Sequence, residues 1–88
     1  MVSRVIQVIN PSGLHLRPAG ILCQTTMKFK SKIAILHNDK VFNAKSVINM
    51  MTSGIKCGAE IEIRCMGEDE AEALEATCHT ILNDLEEY

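Results

Sequence analysis

Between Glu60 and Cys65 the chain alternates strictly, with Ile61, Ile63 and Cys65 set against Glu60, Glu62 and Arg64. A period of two places the apolar set on one face of a half-buried β-strand. Val2 to Ile9 is rich in β-branched residues and alternates more loosely, with Ile6 and Val8 on one face, and it predicts another strand. Asn10-Pro11-Ser12-Gly13 is dense turn chemistry and stops it. Ile33 and Ile35 mark a further strand. Asn38-Asp39 supplies a two-residue hairpin turn, since both residue types tolerate positive φ, and Val41 and Phe42 lie on the short return strand.

Helical spacing appears three times. Ala19, Leu22, Cys23 and Thr26 recur at i, i+3, i+4 and i+7, which predicts a helix from Leu16 to about Met27. Pro18 falls in its first turn, where an N–H would lack a helical partner anyway. Ser46 is placed as the N-cap of a short helix from Val47 to about Thr52, closed by Gly54. After Gly67, Asp69 and Glu72 have capping-box spacing, and the acidic run Glu68-Asp69-Glu70 suits a helix start. Ala71, Leu74, Cys78, Ile81, Leu82 and Leu85 then form the apolar stripe of a long final helix.

The resulting order is β-α-β-β-α-β-α. Its economical packing is an α+β sandwich, a four-stranded, largely antiparallel sheet covered on one side by three helices. No repeat or linker interrupts the pattern, so residues 1–88 are expected to form a single domain.

Composition narrows this picture. Hydrophobic residues make up 47% of the chain but aromatics only 3%, so the core must be built from aliphatic side chains, Met and Cys. A net charge of −2 gives no pull toward nucleic acid or an anionic membrane. No apolar run reaches the roughly 18 residues that membrane insertion needs, and the beginning of the chain lacks a signal-peptide pattern, so a cytoplasmic location is expected. Cys23, Cys57, Cys65 and Cys78 form no Cys-x-x-Cys pair and no zinc-type spacing with His37 or His79, and no metal site is expected. Four cysteines permit disulfides on parity alone. In a reducing compartment, free and mostly buried thiols are the expectation. His37 and His79 read as ordinary surface or boundary residues.

The chemistry concentrates in Gly13-Leu14-His15-Leu16-Arg17-Pro18-Ala19. A turn delivers His15 to the first residues of a helix, where backbone N–H groups have no intrahelical acceptor and favour an anion. Arg17 adds a full positive charge and a planar donor fork suited to phosphate oxygens. An imidazole is largely neutral near pH 7 and keeps a nucleophilic lone pair. These parts suit phosphoryl transfer to and from His15, with Arg17 and the helix-start N–H groups holding the equatorial oxygens. The plainer reading makes His15 a helix cap and Arg17 a solvated charge.

At these residues, and at the second motif Asn43-Ala44-Lys45-Ser46-Val47-Ile48-Asn49-Met50-Met51-Thr52-Ser53-Gly54, the sequence resembles the HPr family. These are the histidine phosphocarriers of the bacterial phosphoenolpyruvate:sugar phosphotransferase system. Gly67-Glu68-Asp69-Glu70 also matches, and the resemblance spans essentially the whole chain. It implies an open-faced β-sandwich that is a carrier, not an enzyme. It also implies that His15 accepts phosphate on its Nδ1 nitrogen from enzyme I and passes it to sugar-specific IIA domains, assisted by Arg17. It implies no metal or organic cofactor in the carrier. Ser12 stands where the family commonly has Asn, and Leu16 where a small residue is usual; both bear on partner choice.

The same resemblance gives Ser46 a second role beyond capping. In low-GC Gram-positive bacteria and some others, the matching serine is phosphorylated by an ATP-dependent HPr kinase/phosphorylase. Phosphate suits a helix N-terminus, so the fold should survive it, while the added charge would disturb an apolar surface beside it. Six residues cannot turn Val47, Ile48, Met50 and Met51 all inward. Val47, Ile48 and Met51, with Leu16, Gly20 and Gln24 adjoining, are therefore expected to form a partner-docking patch near His15, plain packing being the alternative.

Competing readings remain open at this level. One is a regulatory module of the same fold that acts through phosphorylated Ser46 on a catabolite-control transcription regulator. Another is a carrier in a nitrogen- or dihydroxyacetone-type relay, and a third is an unrelated α+β ligand-binding domain. A monomer is expected, because a carrier must show His15 to successive partners.

Overall fold

A computed structural model describes residues 1–88. The elements follow in the order β1 (Val2–Gln7), α1 (Leu16–Thr26), β2 (Lys32–His37), β3 (Lys40–Asn43), α2 (Val47–Met51), β4 (Glu60–Met66) and α3 (Glu70–His79). A π-helical turn, Thr80–Asp84, extends α3. The four strands form one sheet in the order β1-β4-β2-β3, antiparallel at every junction. β4 is thus a central strand, pairing Ile61 with Ile6 and Ile63 with Ile35.

The strict alternation of β4 appears directly in its burial. Ile61, Ile63 and Cys65 point into the core, while Glu60, Glu62 and Arg64 lie on the other side of the sheet. The helices pack on the apolar face alone. Together they enclose one core of 18 buried residues that contains no aromatic ring. Val5, Ile9, Val41 and Met66 are left exposed. The hairpin between β2 and β3 turns on Asn38 (φ +50) and Asp39 (φ +64), the left-handed pair that a two-residue hairpin loop demands.

The regular part of β1 ends at Gln7, two residues before the sequence pattern suggests. The cause is a β-bulge. Val8 donates its N–H to the Ala59 carbonyl (2.8 Å) and accepts from the Gly58 N–H (2.7 Å), so two residues oppose one. Gly58 has φ +94, the conformation this kind of bulge reserves for glycine. Val8 is still fully buried, and the chain leaves the sheet beyond it.

The final helix departs from the sequence pattern in detail. Its buried residues are Ala73, Leu74, Thr77 and Cys78, continued by Thr80, Ile81 and Leu85. Ala71 is exposed and Leu82 only half-buried, because the core face is centred on Ala73, Leu74, Thr77, Cys78 and Ile81 and leaves both residues on its flank. The expected capping box does not form. Asp69 makes no side-chain cap; its carboxylate reaches across to accept from the Lys30 N–H (2.9 Å), the Ser31 N–H (2.9 Å) and the Ser31 hydroxyl (2.5 Å). Glu70, not Glu72, caps backward, accepting from the Gly67 N–H at 3.3 Å. All four cysteines are free thiols; Cys65 and Cys78 are buried, Cys23 is half-buried and Cys57 is exposed. No helix is long and apolar enough to cross a membrane.

Candidate functional site: an open histidine at a helix start

The loop from Ile9 to Leu14 is fastened at several points before it reaches His15. The Asn10 amide donates to the Gly13 carbonyl (2.8 Å), and the Gly13 N–H donates to the Asn10 carbonyl (3.2 Å). Leu14 is buried, and its N–H bonds the Ile55 carbonyl at 3.1 Å. Gly13 has φ +63 and lies flat against the Ile55-Lys56 backbone. Ser12 ties the outer side of the loop down, donating both its N–H (2.7 Å) and its hydroxyl to the main-chain oxygen of Tyr88.

His15 emerges from this clamp as the N-cap of α1. Its backbone is extended (φ −78, ψ −174), and its carbonyl accepts from Ala19 at 2.8 Å. Its side chain makes no capping hydrogen bond. The N–H groups of Leu16 and Arg17 find no acceptor in the fold, and Pro18 has no N–H to satisfy. The imidazole and the Arg17 side chain are both exposed. They line one shallow recess of about 240 Å³, completed by Ser12, Leu16, Pro18 and Tyr88. A second recess of about 360 Å³ shares Leu16, Arg17 and Tyr88 and adds Gly20, Ile21 and Gln24. An imidazole and an unpaired guanidinium thus line the same open recess, at a helix start whose Leu16 and Arg17 N–H groups are unsatisfied. That set can accept and hold a small anion within reach of solvent.

A larger cleft of about 440 Å³ is bounded by Lys32, Phe42, Lys45 and Asn49 and shares no lining residue with the His15 recess. It joins no nucleophile to a free cation at a helix start, so the smaller recess is the candidate site.

Ser46 caps α2 as its position suggests. Its hydroxyl accepts from the Asn49 N–H at 3.2 Å, and its side chain is partly accessible. On α2, Met50 turns fully inward, Ile48 is 74% exposed and Met51 40% exposed. Val47 departs from the expectation; it is half-buried and packs against the core, because it faces the same side as Met50. Leu16 is 58% exposed, Gln24 is exposed and Gly20 half-buried. α1 and α2 pack against each other, which brings the two sets of residues onto neighbouring helices. His79 is exposed; His37 is half-buried, with Nδ1 3.3 Å from the Glu60 carbonyl, and neither approaches His15's recess. No cluster of three metal-ligating side chains occurs.

Tyr88 and Ile21 are wall residues that the sequence reading does not include. Tyr88 reaches the recess only through its tie to Ser12, 76 positions away, which leaves no local signal. Ile21 sits on the helix beside Gly20, and its spacing from Arg17 and Gln24 could have marked it.

The fold and the site together define a small open-faced α+β sandwich that presents an exposed histidine at a helix start. Residues 2–83 match the family model described as PTS HPr component, phosphorylation site. The phosphocarrier protein HPr of Treponema pallidum is 37% identical over 87 residues, covering 99% of each chain. The crystal structure of HPr-C-His from Thermoanaerobacter tengcongensis superposes with a TM-score of 0.93 at 35% identity, covering 100% of this chain and 99% of that one. An HPr dimer from the same organism matches with a TM-score of 0.76 at 35% identity, over 97% and 98% of the two chains. The chain belongs to the HPr family of phosphocarriers of the phosphotransferase system.

Proposed function

We infer that the chain receives a phosphoryl group on His15 from enzyme I and delivers it to sugar-specific IIA domains. The observation that carries this reading is the exposed His15 at an uncapped helix start, sharing one open recess with Arg17. The imidazole lone pair forms a nitrogen–phosphorus bond as the phosphorus–donor bond breaks, and the donor group leaves with the electron pair. Arg17 and the N–H groups of Leu16 and Arg17 take the three phosphoryl oxygens. A shallow site suits a carrier, because a deep one would hold its cargo too firmly to pass it on. Ile48, Met51, Leu16, Gly20 and Gln24 form the docking surface around the site, with Val47 supporting it from below. Exposed Met51 suits a surface that meets several partners, since thioether side chains repack readily. The carrier works as a monomer in this reading, and sedimentation separates that from a pair like the T. tengcongensis dimer.

The test is incubation with enzyme I and labelled phosphoenolpyruvate. Acid-labile label that disappears in His15→Ala is expected. A chain that stays unlabelled, or that keeps the label without His15, overturns the assignment.

Ser46 supports a second, regulatory reading. Its partly accessible hydroxyl sits at the start of α2 next to exposed Ile48, where a phosphate from ATP would place charge on the docking surface. A kinase of the HPr type would then slow transfer from enzyme I and create a surface for a transcription regulator. Acid-stable label on Ser46 with ATP and such a kinase is the expected result, and its absence removes this role.

A further inference from the structure

We propose that Asn10 is a positioning residue for His15, holding the turn that aims the imidazole into the anion recess. This rests on the carrier reading above, since it concerns the geometry of the same site.

Asn10 is completely buried, which is unusual for a side chain with four hydrogen-bonding sites, two donors and two acceptor lone pairs. Its orientation is fixed by chemistry. The Gly13 carbonyl can only accept, so the atom 2.8 Å from it must be the amide nitrogen. That choice leaves the Oδ1 atom buried with no partner. An unpartnered buried acceptor weakens a fold. A position serving stability alone would be better filled by an apolar side chain of similar shape. What the amide provides in return is local. With the reciprocal Gly13 N–H to Asn10 carbonyl bond, it locks the backbone from 10 to 13 into a closed ring. That ring presses Gly13 onto Ile55 and Lys56 and sends Leu14 into the core. His15 follows directly, and it has no side-chain hydrogen bond of its own to hold it. The direction of the imidazole is therefore set by the backbone beneath it, and Asn10 is the one side chain that fastens that backbone from inside.

The exposed end of the loop has a separate tie, Ser12 to Tyr88. Loss of Asn10 should therefore loosen the inner half of the turn without freeing the whole segment. The docking residues on α1 and α2 should stay in place.

The test compares wild type with Asn10→Ala and Asn10→Asp. Asp keeps the shape but replaces the amide donor with an acceptor. Steady-state transfer from enzyme I is measured per folded molecule, with folding checked by thermal melts, and the hydrolysis rate of the isolated phosphohistidine is followed in parallel. The expected result is a fall in kcat of about tenfold in both variants, with KM for enzyme I unchanged, and faster loss of the phosphoryl group. If Asn10→Ala fails to fold, the isosteric Asp variant decides the matter alone. A kcat and hydrolysis rate within twofold of wild type per folded molecule overturns the proposal, as does a change confined to KM. Wild-type protein that is never labelled by enzyme I would instead mark failure of the carrier reading itself.

Discussion

A Cβ on Gly13 would lie 2.4 Å from the Ile55 carbonyl oxygen and 2.7 Å from the Lys56 Cα, both backbone atoms that cannot step aside. The positive φ adds strain for any other residue. Gly13→Ala is expected to lose roughly 1–3 kcal/mol from conformational strain alone, with the clash in addition. Urea denaturation checks this. Any fraction that folds should carry a displaced His15 and accept phosphate slowly. Arg17 acts differently, because it is exposed and unpaired and contributes nothing to the core. Arg17→Ala should leave the melting temperature nearly unchanged while slowing transfer on the order of 10²-fold, with Lys restoring only part because it lacks the planar fork. Stopped-flow transfer from phosphorylated enzyme I separates the three.

At the scale of elements, the two helix starts on the working face are built in opposite ways. Ser46 satisfies α2 with its own hydroxyl, and Ser46→Ala should cost about 1 kcal/mol in a denaturant melt. His15 leaves α1 unsatisfied. Both starts were legible in the sequence, because caps and turns are local chemistry; the same holds for Asn38-Asp39 and for the alternation of β4. Asp69 was not legible. Its partners Lys30 and Ser31 lie far back in the chain, and spacing rules for a capping box say nothing about such a bridge. Buried Thr77 was hidden for a related reason, since its polar type disqualified it from an apolar stripe that Ala71 then filled by mistake. The Ser31 hydroxyl and the Lys30 and Ser31 N–H groups draw the Asp69 carboxyl down from an ordinary 3.8 to about 2. A carboxylate depressed by folding adds stability above its unfolded value. That contribution fades as the pH drops from about 4 through 2. Melts across this range should show a slope that Asp69→Asn flattens; an equal slope in the variant would remove Asp69 from the account.

For the molecule as a whole, one sheet face is committed to the core and the helices turn their outer sides to solvent, where the proposed docking surface lies. Met51→Glu should therefore slow transfer from enzyme I while leaving the melt intact, because Met51 is accessible and Met50 carries the packing. An unchanged rate would detach α2 from docking. The cysteines report on the same division. Burial pushes the Cys65 thiol up to about 11, and its side chain has no solvent contact in central β4. Exposed Cys57 should alkylate readily in the native state, whereas Cys65 should react only at the rate of global unfolding, which mass spectrometry after timed labelling would show.

Tyr88 is the single tyrosine, and the chain has no tryptophan. Because Tyr88 lines both recesses beside Arg17, emission excited at wavelengths that phenylalanine does not absorb arises from a residue next to the candidate site. Arrival of a phosphoryl group or a partner should dim or shift this intrinsic glow, so the native molecule carries its own optical probe and needs no attached dye.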